Sequence, residues 1–139
     1  MSDKATTHMI SAAVRKWLEA LRLQHWIKSG FCLAALFFHG AALEVSAWLA
    51  VLPVTLCFCL ISSAVYLAND ILNLAEDRCH PRKSGRPIAS GQISVQGAWI
   101  VVVLLAGSAL GCAWWFYGVG NVMWVLLGYY LLSWVYSYY

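Results

Sequence analysis

Four apolar stretches alternate with shorter polar segments along the chain, and they predict four membrane-spanning helices. A bilayer core about 30 Å thick requires about 20 helical residues, so the first stretch must borrow residues from its flanks. The predicted spans cover about residues 26–43, 47–72, 98–116 and 122–138, with a polar loop at 73–97. The pattern therefore predicts an all-α integral membrane protein with four transmembrane helices.

The segment before the first span has a different, amphipathic pattern. A helix is predicted from Ser11, a suitable N-cap, because apolar residues recur at helical spacing at Val14, Trp17, Leu18 and Leu21. Tryptophan on one face and basic residues on the others favour a helix that lies on the membrane surface. Packing against a soluble partner is the alternative. The predicted organisation is a cytoplasmic segment at 1–23 with this interfacial helix, followed by a transmembrane domain at 24–139.

Composition supports the membrane assignment. The chain is 62% hydrophobic and 11% charged, whereas a soluble domain is about half apolar and about a quarter charged. Eight tryptophans and seven tyrosines, many near the ends of apolar stretches, fit the aromatic belts of membrane interfaces. A membrane is therefore the expected partner, and nucleic acid is not.

The basic residues predict the orientation of the chain in the membrane. All nine lie in two regions, one that ends at Lys28 near the start of the first span and one between the second and third spans. Because basic loops remain on the cytoplasmic side, both regions and both termini are predicted to be cytoplasmic. The expected location is the inner (plasma) membrane, with multiple crossings.

The second span ends in a stripe of oxygen-bearing side chains. Asp70, Asn73 and Asp77 are spaced by three and then four residues, which places them on one helix face. Asn69 lies beside this stripe, and Glu76 points away from it. Carboxylates and amides suit Mg²⁺, which is often held by one or two carboxylates together with substrate phosphates.

Basic residues follow this stripe directly. They are Arg78, Arg82, Lys83 and Arg86. Such side chains bind phosphate oxygens, and the prolines and glycine among them favour a loop that folds back over the stripe. Topology alone also requires a basic cytoplasmic loop, so the basic residues by themselves do not establish a site.

The segment "NDILNLAEDRCHPRKSGRP" resembles the first aspartate-rich motif of the UbiA superfamily of intramembrane prenyltransferases, N-D-x-x-D-x-x-x-D. Asn69, Asp70 and Asp77 match this motif, and Asn73 stands where the family has aspartate. The flanking pattern D-R-x-H-P-x-K-x-x-R-P-I-A is most similar to the branch that contains decaprenyl-phosphate phosphoribosyltransferases. "LRLQHWIKSG" at 21–30 is similar to that branch's R-x-x-Q-W-x-K-N segment, with Ser29 replacing the asparagine.

The resemblance implies a helical bundle around a cavity and Mg²⁺-dependent transfer with a polyprenyl phosphate or diphosphate. It implies catalytic and metal-binding roles for Asp70 and Asp77, with Asn73 as a further metal ligand. The substrate phosphates are expected to contact Asn69, Lys28, Arg78, Arg82, Lys83 and Arg86. Snorkelling of Lys28 to the interface is an alternative for that residue. Tyr66, one turn before Asp70, either faces the cavity or packs in the bundle.

The family's second aspartate motif belongs on a later helix than the four predicted here. We therefore expect the chain to be the N-terminal half of such a protein, with half of the metal site. Its expected partners include the missing C-terminal half or another membrane subunit. The alternative is a non-catalytic remnant or subunit that binds lipid phosphate, which Asn73 also favours.

Overall fold

The computed structural model describes the backbone of residues 2–138 and the side chains of residues 11–34 and 36–135. The helices are α1 Ser2–Ala20, α2 Trp26–Ser29, α3 Phe31–Phe38, α4 Val45–Leu72, α5 Leu74–Cys79, α6 Val95–Tyr117 and α7 Asn121–Tyr138. A 3-10 turn, Leu23–His25, connects α1 to α2. The described backbone is helical and contains no strand, as the sequence predicts.

Two of the described helices, α4 and α6, are long and apolar enough to cross a membrane. They contain 28 and 23 residues, and a rise of about 1.5 Å per residue makes both longer than the hydrocarbon core. In α7 the described apolar stretch, Asn121–Val135, is shorter. Four crossings therefore remain a prediction.

The prediction of one continuous helix at 26–43 is wrong. The structure has two short helices there, α2 and α3, and the eight residues of α3 rise only about 12 Å. A C-terminal cap at Gly40 ends α3: the Gly40 N–H bonds to the Phe37 carbonyl at 3.2 Å, and the Ala41 N–H bonds to the Leu36 carbonyl at 3.0 Å. This cap requires a positive φ, which Gly40 adopts at 74° without the steric cost that a side chain would impose.

The N-terminal helix also differs from the prediction, because α1 begins at Ser2 rather than at Ser11. Trp17 and Ala20 of its apolar face pack against the protein core, whereas Val14 and Leu18 remain about half exposed, at 50% and 45%. Part of the predicted apolar face of α1 is thus buried against the helical bundle, and part of it is exposed. Contact of its exposed part with a membrane surface stays a prediction.

The core lies mainly between α4 and α6, which form the most extensive helix–helix contact. Small residues allow their close approach, with Ala64 and Ala68 on α4 and Ala98 on α6 almost fully buried. Ile88 and Ile93, in the loop that connects α5 to α6, belong to the same core cluster as these three alanines. The loop is therefore packed onto the end of α4 that carries the polar stripe.

A buried hydroxyl joins the N-terminal segment to α4. Ser63 is 1% exposed; its hydroxyl accepts a hydrogen bond from the Trp26 indole N–H and donates one to the Leu21 carbonyl, both at 2.9 Å. These two bonds hold the chain between α1 and α2 against α4. The same segment contains Arg22, which belongs to the site described below.

We predict that Ser63→Ala lowers the free energy of unfolding by about 1–3 kcal/mol, because it leaves a partly buried donor and a partly buried acceptor unpaired. Thermal unfolding in detergent micelles measures the effect as a lower midpoint. Ser133→Ala is the matched control, since the Ser133 hydroxyl bonds within its own helix, to the Tyr129 carbonyl one turn earlier. Equal losses in the two variants would contradict the bridging role of Ser63.

Candidate functional site

The polar stripe stays on one side of the chain because helical hydrogen bonding continues through the junction of α4 and α5. Asn73 leaves helical geometry with φ −92° and ψ 17°. Its N–H still bonds to the Asn69 carbonyl at 3.0 Å, and its carbonyl accepts from the Asp77 N–H at 2.9 Å. The junction is therefore a slight distortion rather than a break, and Asp70 and Asp77 point to the same region.

Three basic side chains converge on these two aspartates. Arg86 Nη1 lies 3.0 Å from Asp70 Oδ1 and 2.6 Å from Asp77 Oδ2, so one nitrogen bonds to both carboxylates. Arg22 Nη2 lies 2.6 Å from Asp70 Oδ1, and Lys83 Nζ lies 3.5 Å from Asp77 Oδ1. We refer to these five residues as the carboxylate cluster.

The aspartates of the carboxylate cluster are buried and its cations are partly exposed. Asp70 and Asp77 are 4% and 1% exposed, whereas the side chains of Arg22, Arg86 and Lys83 are 19%, 28% and 44% exposed. Burial of unpaired carboxylates would be strongly unfavourable, so the cations are needed to retain them as charged groups. The cations form the accessible side of the cluster, where an incoming anion would meet them.

The balance of formal charge in the cluster favours an anion. Two carboxylates face three cations, which leaves one positive charge in excess. Asp77 Oδ1 is buried and accepts no hydrogen bond, although Lys83 lies within ion-pair distance. The cluster therefore combines surplus positive charge with a carboxylate oxygen that is still able to accept a ligand.

The loop between α5 and α6 positions Arg86. Pro87, Ile88 and Ala89, which follow it, are buried, and the Ile93 N–H bonds to the Pro87 carbonyl at 2.9 Å. Arg78 Nε donates to the Ala89 carbonyl at 3.2 Å, which secures the same turn. The loop folds back over the end of α4, as its proline and glycine content predicts.

The structure adds Arg22 to the residues that the stripe suggests. Arg22 has φ 50°, the only positive φ at a non-glycine residue in the described chain. This conformation costs free energy and occurs often at functional sites. The guanidinium lies 4.9 Å from the centre of the Tyr66 ring and forms an ion pair with Asp70. In the sequence, Arg22 is distinguished only by its position in the segment at 21–30 that resembles a family motif. Its ion-pair partner Asp70 is 48 residues away, so local spacing does not predict the contact.

Arg22 borders two cavities of different character. A polar hollow of about 240 Å³ includes Arg22, Asp70 and Arg86 in its lining. A mainly apolar cavity of about 490 Å³ includes Arg22, Tyr66, Asn69 and Tyr129 in its lining. We call these the polar hollow and the apolar cavity. Tyr66 thus faces a cavity, the first of the two alternatives for this residue.

The remaining predicted site residues lie outside the carboxylate cluster. Asn69 lines the apolar cavity, and the Asn73 amide nitrogen donates to both the carbonyl and the side-chain oxygen of Asn69 at 3.0 Å. Lys28 lines a separate pocket of about 290 Å³ with Tyr66 and Tyr129. Of these three residues, Asn69 thus lines the apolar cavity, Asn73 contacts Asn69, and Lys28 lines the neighbouring pocket, which shares Tyr66 and Tyr129 with the apolar cavity.

The two remaining arginines of the loop also lie away from the carboxylates. Both are exposed. Arg78 contacts the Ala89 carbonyl, and the Arg82 backbone nitrogen donates to His80 Nδ1 at 3.2 Å. Of the four basic residues at 78–86, the structure brings only Lys83 and Arg86 to the aspartates.

The donor set fits Mg²⁺ in part. Two carboxylates suit an ion that completes its coordination with water and substrate phosphates, and Asp77 Oδ1 accepts no hydrogen bond. Among the described side chains, no group of three or more His, Cys, Asp and Glu residues is placed to hold a metal. Asp70 and Asp77 can thus supply two ligands, with the remainder coming from elsewhere.

His25 borders both the polar hollow and the Lys28 pocket and stacks on Tyr66 with 4.9 Å between ring centres. Its pKa is lowered from 6.5, chiefly by burial and then by the positive charges of Lys28 and Arg22. The folded protein therefore binds a proton at His25 less readily than the unfolded chain does. His25 accordingly stabilises the fold above its unfolded-state pKa, and this contribution is lost as the pH falls.

Histidine titrates between about pH 7.5 and about pH 5.5, and the wild type is expected to become less stable over this range as the pH falls. We predict that this decrease in stability is smaller in the His25→Gln variant, because glutamine does not take up a proton. Denaturation at several pH values, followed by tryptophan fluorescence, measures this decrease. His39→Gln is the matched control because His39 is exposed. A His25→Gln variant with the complete wild-type pH dependence would contradict the assignment.

Comparison with known proteins gives relatives that include a nodulation protein and two enzymes of one name. The chain is 37% identical over 94 residues to Nodulation protein NoeC of Azorhizobium caulinodans, covering 65% of this chain and 29% of that protein. It is 38% identical over 104 residues to the decaprenyl-phosphate phosphoribosyltransferase of Mycolicibacterium smegmatis, covering 70% and 32%. The enzyme of the same name from Mycobacterium tuberculosis is 34% identical over 118 residues, covering 82% and 39%.

These alignments confirm the resemblance noted from the aspartate motif. The chain spans only about a third of the length of these relatives, between 29% and 39%. A profile of the UbiA prenyltransferase family matches residues 29–139, which include α4, α6, α7 and the loop that carries Arg86. Because this match covers most of the sequence, the chain belongs to the UbiA prenyltransferase family.

Proposed function

We propose that this chain forms the phosphate-binding part of a membrane transferase that acts on a polyprenyl phosphate or diphosphate. The observation that carries the proposal is the convergence of two buried aspartates and three cations at the end of an apolar helix. Such a cluster suits a phosphorylated group, and the neighbouring apolar cavity suits a hydrocarbon chain. Family membership and the named phosphoribosyltransferases support the same substrate class.

The topology proposed for this function has four membrane crossings with both termini in the cytoplasm of a cell with an inner membrane. Two helices of sufficient length and the membrane-embedded family support it. The carboxylate cluster would then lie at the cytoplasmic membrane surface, where soluble phosphorylated substrates are available. The first of these crossings would be formed by α2 and α3 together with their flanking residues, since α3 alone is too short to cross.

In the proposed mechanism Asp70 and Asp77 hold Mg²⁺, which would neutralise charge on the departing or attacking phosphate. Asn73 is proposed as a weaker oxygen ligand, after release of its amide from Asn69. Arg22, Lys83 and Arg86 bind the phosphate oxygens on the exposed side of the cluster. Because the backbone that carries these side chains is held in place by the fold before substrate arrives, they stabilise the developing negative charge without refolding of the chain.

The polyprenyl chain is proposed to occupy the apolar cavity. Arg22 borders both this cavity and the polar hollow, so it is placed to contact a phosphate whose hydrocarbon tail extends past Tyr66 and Tyr129. Asn69 and Lys28 would contact the same substrate from the cavity side. Arg78 and Arg82 are proposed to contribute long-range attraction, since their side chains lie farther from the aspartates.

The proposed reaction is transfer of a phosphoribosyl group from a donor that carries it on a diphosphate to the phosphate oxygen of a polyprenyl phosphate, with the diphosphate as leaving group; the names of two relatives suggest it. We propose that the chain does not complete this reaction alone, because its described side chains bring only two carboxylates to the cluster. The remaining ligands would come from a C-terminal half or another membrane subunit. This division leaves binding of the phosphorylated lipid as the activity expected of the chain itself.

We predict that Asp70→Ala abolishes the Mg²⁺-dependent part of polyprenyl diphosphate binding, because it removes one of two carboxylates and the common partner of Arg22 and Arg86. Binding of a short-chain polyprenyl diphosphate to the protein in micelles, with and without Mg²⁺, measures this effect by calorimetry. Glu76→Ala is the matched control, since Glu76 is an exposed carboxylate in the same segment. Unchanged Mg²⁺-dependent binding in Asp70→Ala would refute the metal role.

A further inference from the structure

Arg86 occupies the position between the two carboxylates that a shared metal ion would need. Its Nη1 atom lies 3.0 Å from one aspartate oxygen and 2.6 Å from the other. A Mg²⁺ ion bound by both oxygens would lie about 2.0–2.1 Å from each. The nitrogen and the ion therefore cannot occupy this place together.

The other two cations are not equivalent to Arg86. Arg22 pairs with Asp70, through the same oxygen as Arg86, and Lys83 pairs with Asp77, so neither is paired with both carboxylates. Among the described cations of the cluster, Arg86 alone bridges both aspartates. Removal of this one side chain would open the bridging position without removing either carboxylate.

The surroundings of Arg86 allow its guanidinium to move while its backbone stays in place. The Arg86 N–H bonds to the Lys83 carbonyl at 3.0 Å, and its own carbonyl accepts from the Ser90 N–H at 2.9 Å. The side chain is 28% exposed and borders the polar hollow of about 240 Å³. Rotation of the side chain would carry the guanidinium into this hollow.

The charge balance determines when this movement is favourable. The cluster already has one positive charge in excess, and a divalent cation would raise that excess to three. A free metal ion must therefore displace Arg86 and also meet the repulsion of Arg22 and Lys83. An anion with several phosphate oxygens compensates the added charge and gives the released guanidinium a new partner.

On the basis of the proposed function, we propose that Arg86 is an exchangeable counter-ion that couples metal binding to the binding of a diphosphate-type anion. It blocks the bridging position while the anion is absent and moves to the phosphate oxygens when metal and anion bind together. Arg86 is thus a positioning residue that makes the two ligands bind cooperatively. By linkage, each ligand raises the affinity for the other by the same factor.

Metal binding to the complete chain in micelles tests this proposal, with Mn²⁺ as the probe and inorganic pyrophosphate as the anion. Protein-bound Mn²⁺ is measured by electron paramagnetic resonance at matched concentrations of free Mn²⁺, with and without pyrophosphate. In the wild type we expect pyrophosphate to tighten Mn²⁺ binding by about 5–150-fold, the usual range of coupling between sites.

The decisive variant is Arg86→Gln, which removes the charge that competes with the metal. Without pyrophosphate it should bind Mn²⁺ about tenfold more tightly than the wild type, because a repulsion of about 1.4 kcal/mol corresponds to that factor. The enhancement by pyrophosphate should become smaller. Arg15→Gln, at an exposed arginine on α1 that lies outside the site, should behave like the wild type in both measurements.

Arg86→Lys keeps the proposal testable if Arg86→Gln does not fold. Its shorter side chain retains the charge but fills the space between the aspartates less completely, so its Mn²⁺ affinity without pyrophosphate should lie above that of the wild type. Wild-type affinity in each folded variant at position 86 would overturn the counter-ion proposal. If the wild type binds no Mn²⁺ even with pyrophosphate, the metal role in the proposed function is overturned as well.

Discussion

The pairing of Arg86 with two buried aspartates is the interaction on which the site depends. Asp70 and Asp77 lie at the end of an apolar helix, where charged groups without partners would be strongly destabilising. Arg86 compensates both through a single nitrogen. The loop packing around Ile88 and Ile93, the bend at Asn73 and the approach of Arg22 all support this contact.

The carboxylate cluster places charged side chains directly beside an apolar cavity. Its aspartates are covered by the protein, whereas its cations face the polar hollow and, through Arg22, the apolar cavity. A phosphorylated lipid has the same division between a charged group and a hydrocarbon chain. In the proposed function, the excess of positive charge among these five residues favours first contact with the phosphate of such a ligand rather than with a metal ion alone.

Most of the helical framework follows from the sequence, because apolar stretches of spanning length have few alternatives to helix. The bounds of α4 and α6 lie close to those expected, and the three- and four-residue spacing correctly indicates that Asp70 and Asp77 share a face. The prediction of one helix at 26–43 is wrong, because a hydrophobicity pattern contains no information about the cap at Gly40 that ends α3. The start of α1 was placed too late because Ser11 is also compatible with a helix interior.

The sequence by itself determined that the protein is apolar and helical, and it carries the aspartate motif of its family. It also predicts that the two basic regions are cytoplasmic. Those features depend on local spacing and composition, which the chain carries directly. Only the tertiary structure decided which basic residues meet the carboxylates: Arg22 and Arg86 do, whereas Arg78 and Arg82 do not. Such pairings depend on contacts between distant segments, and neither charge nor periodicity specifies which of several neighbouring arginines a folded loop directs inward.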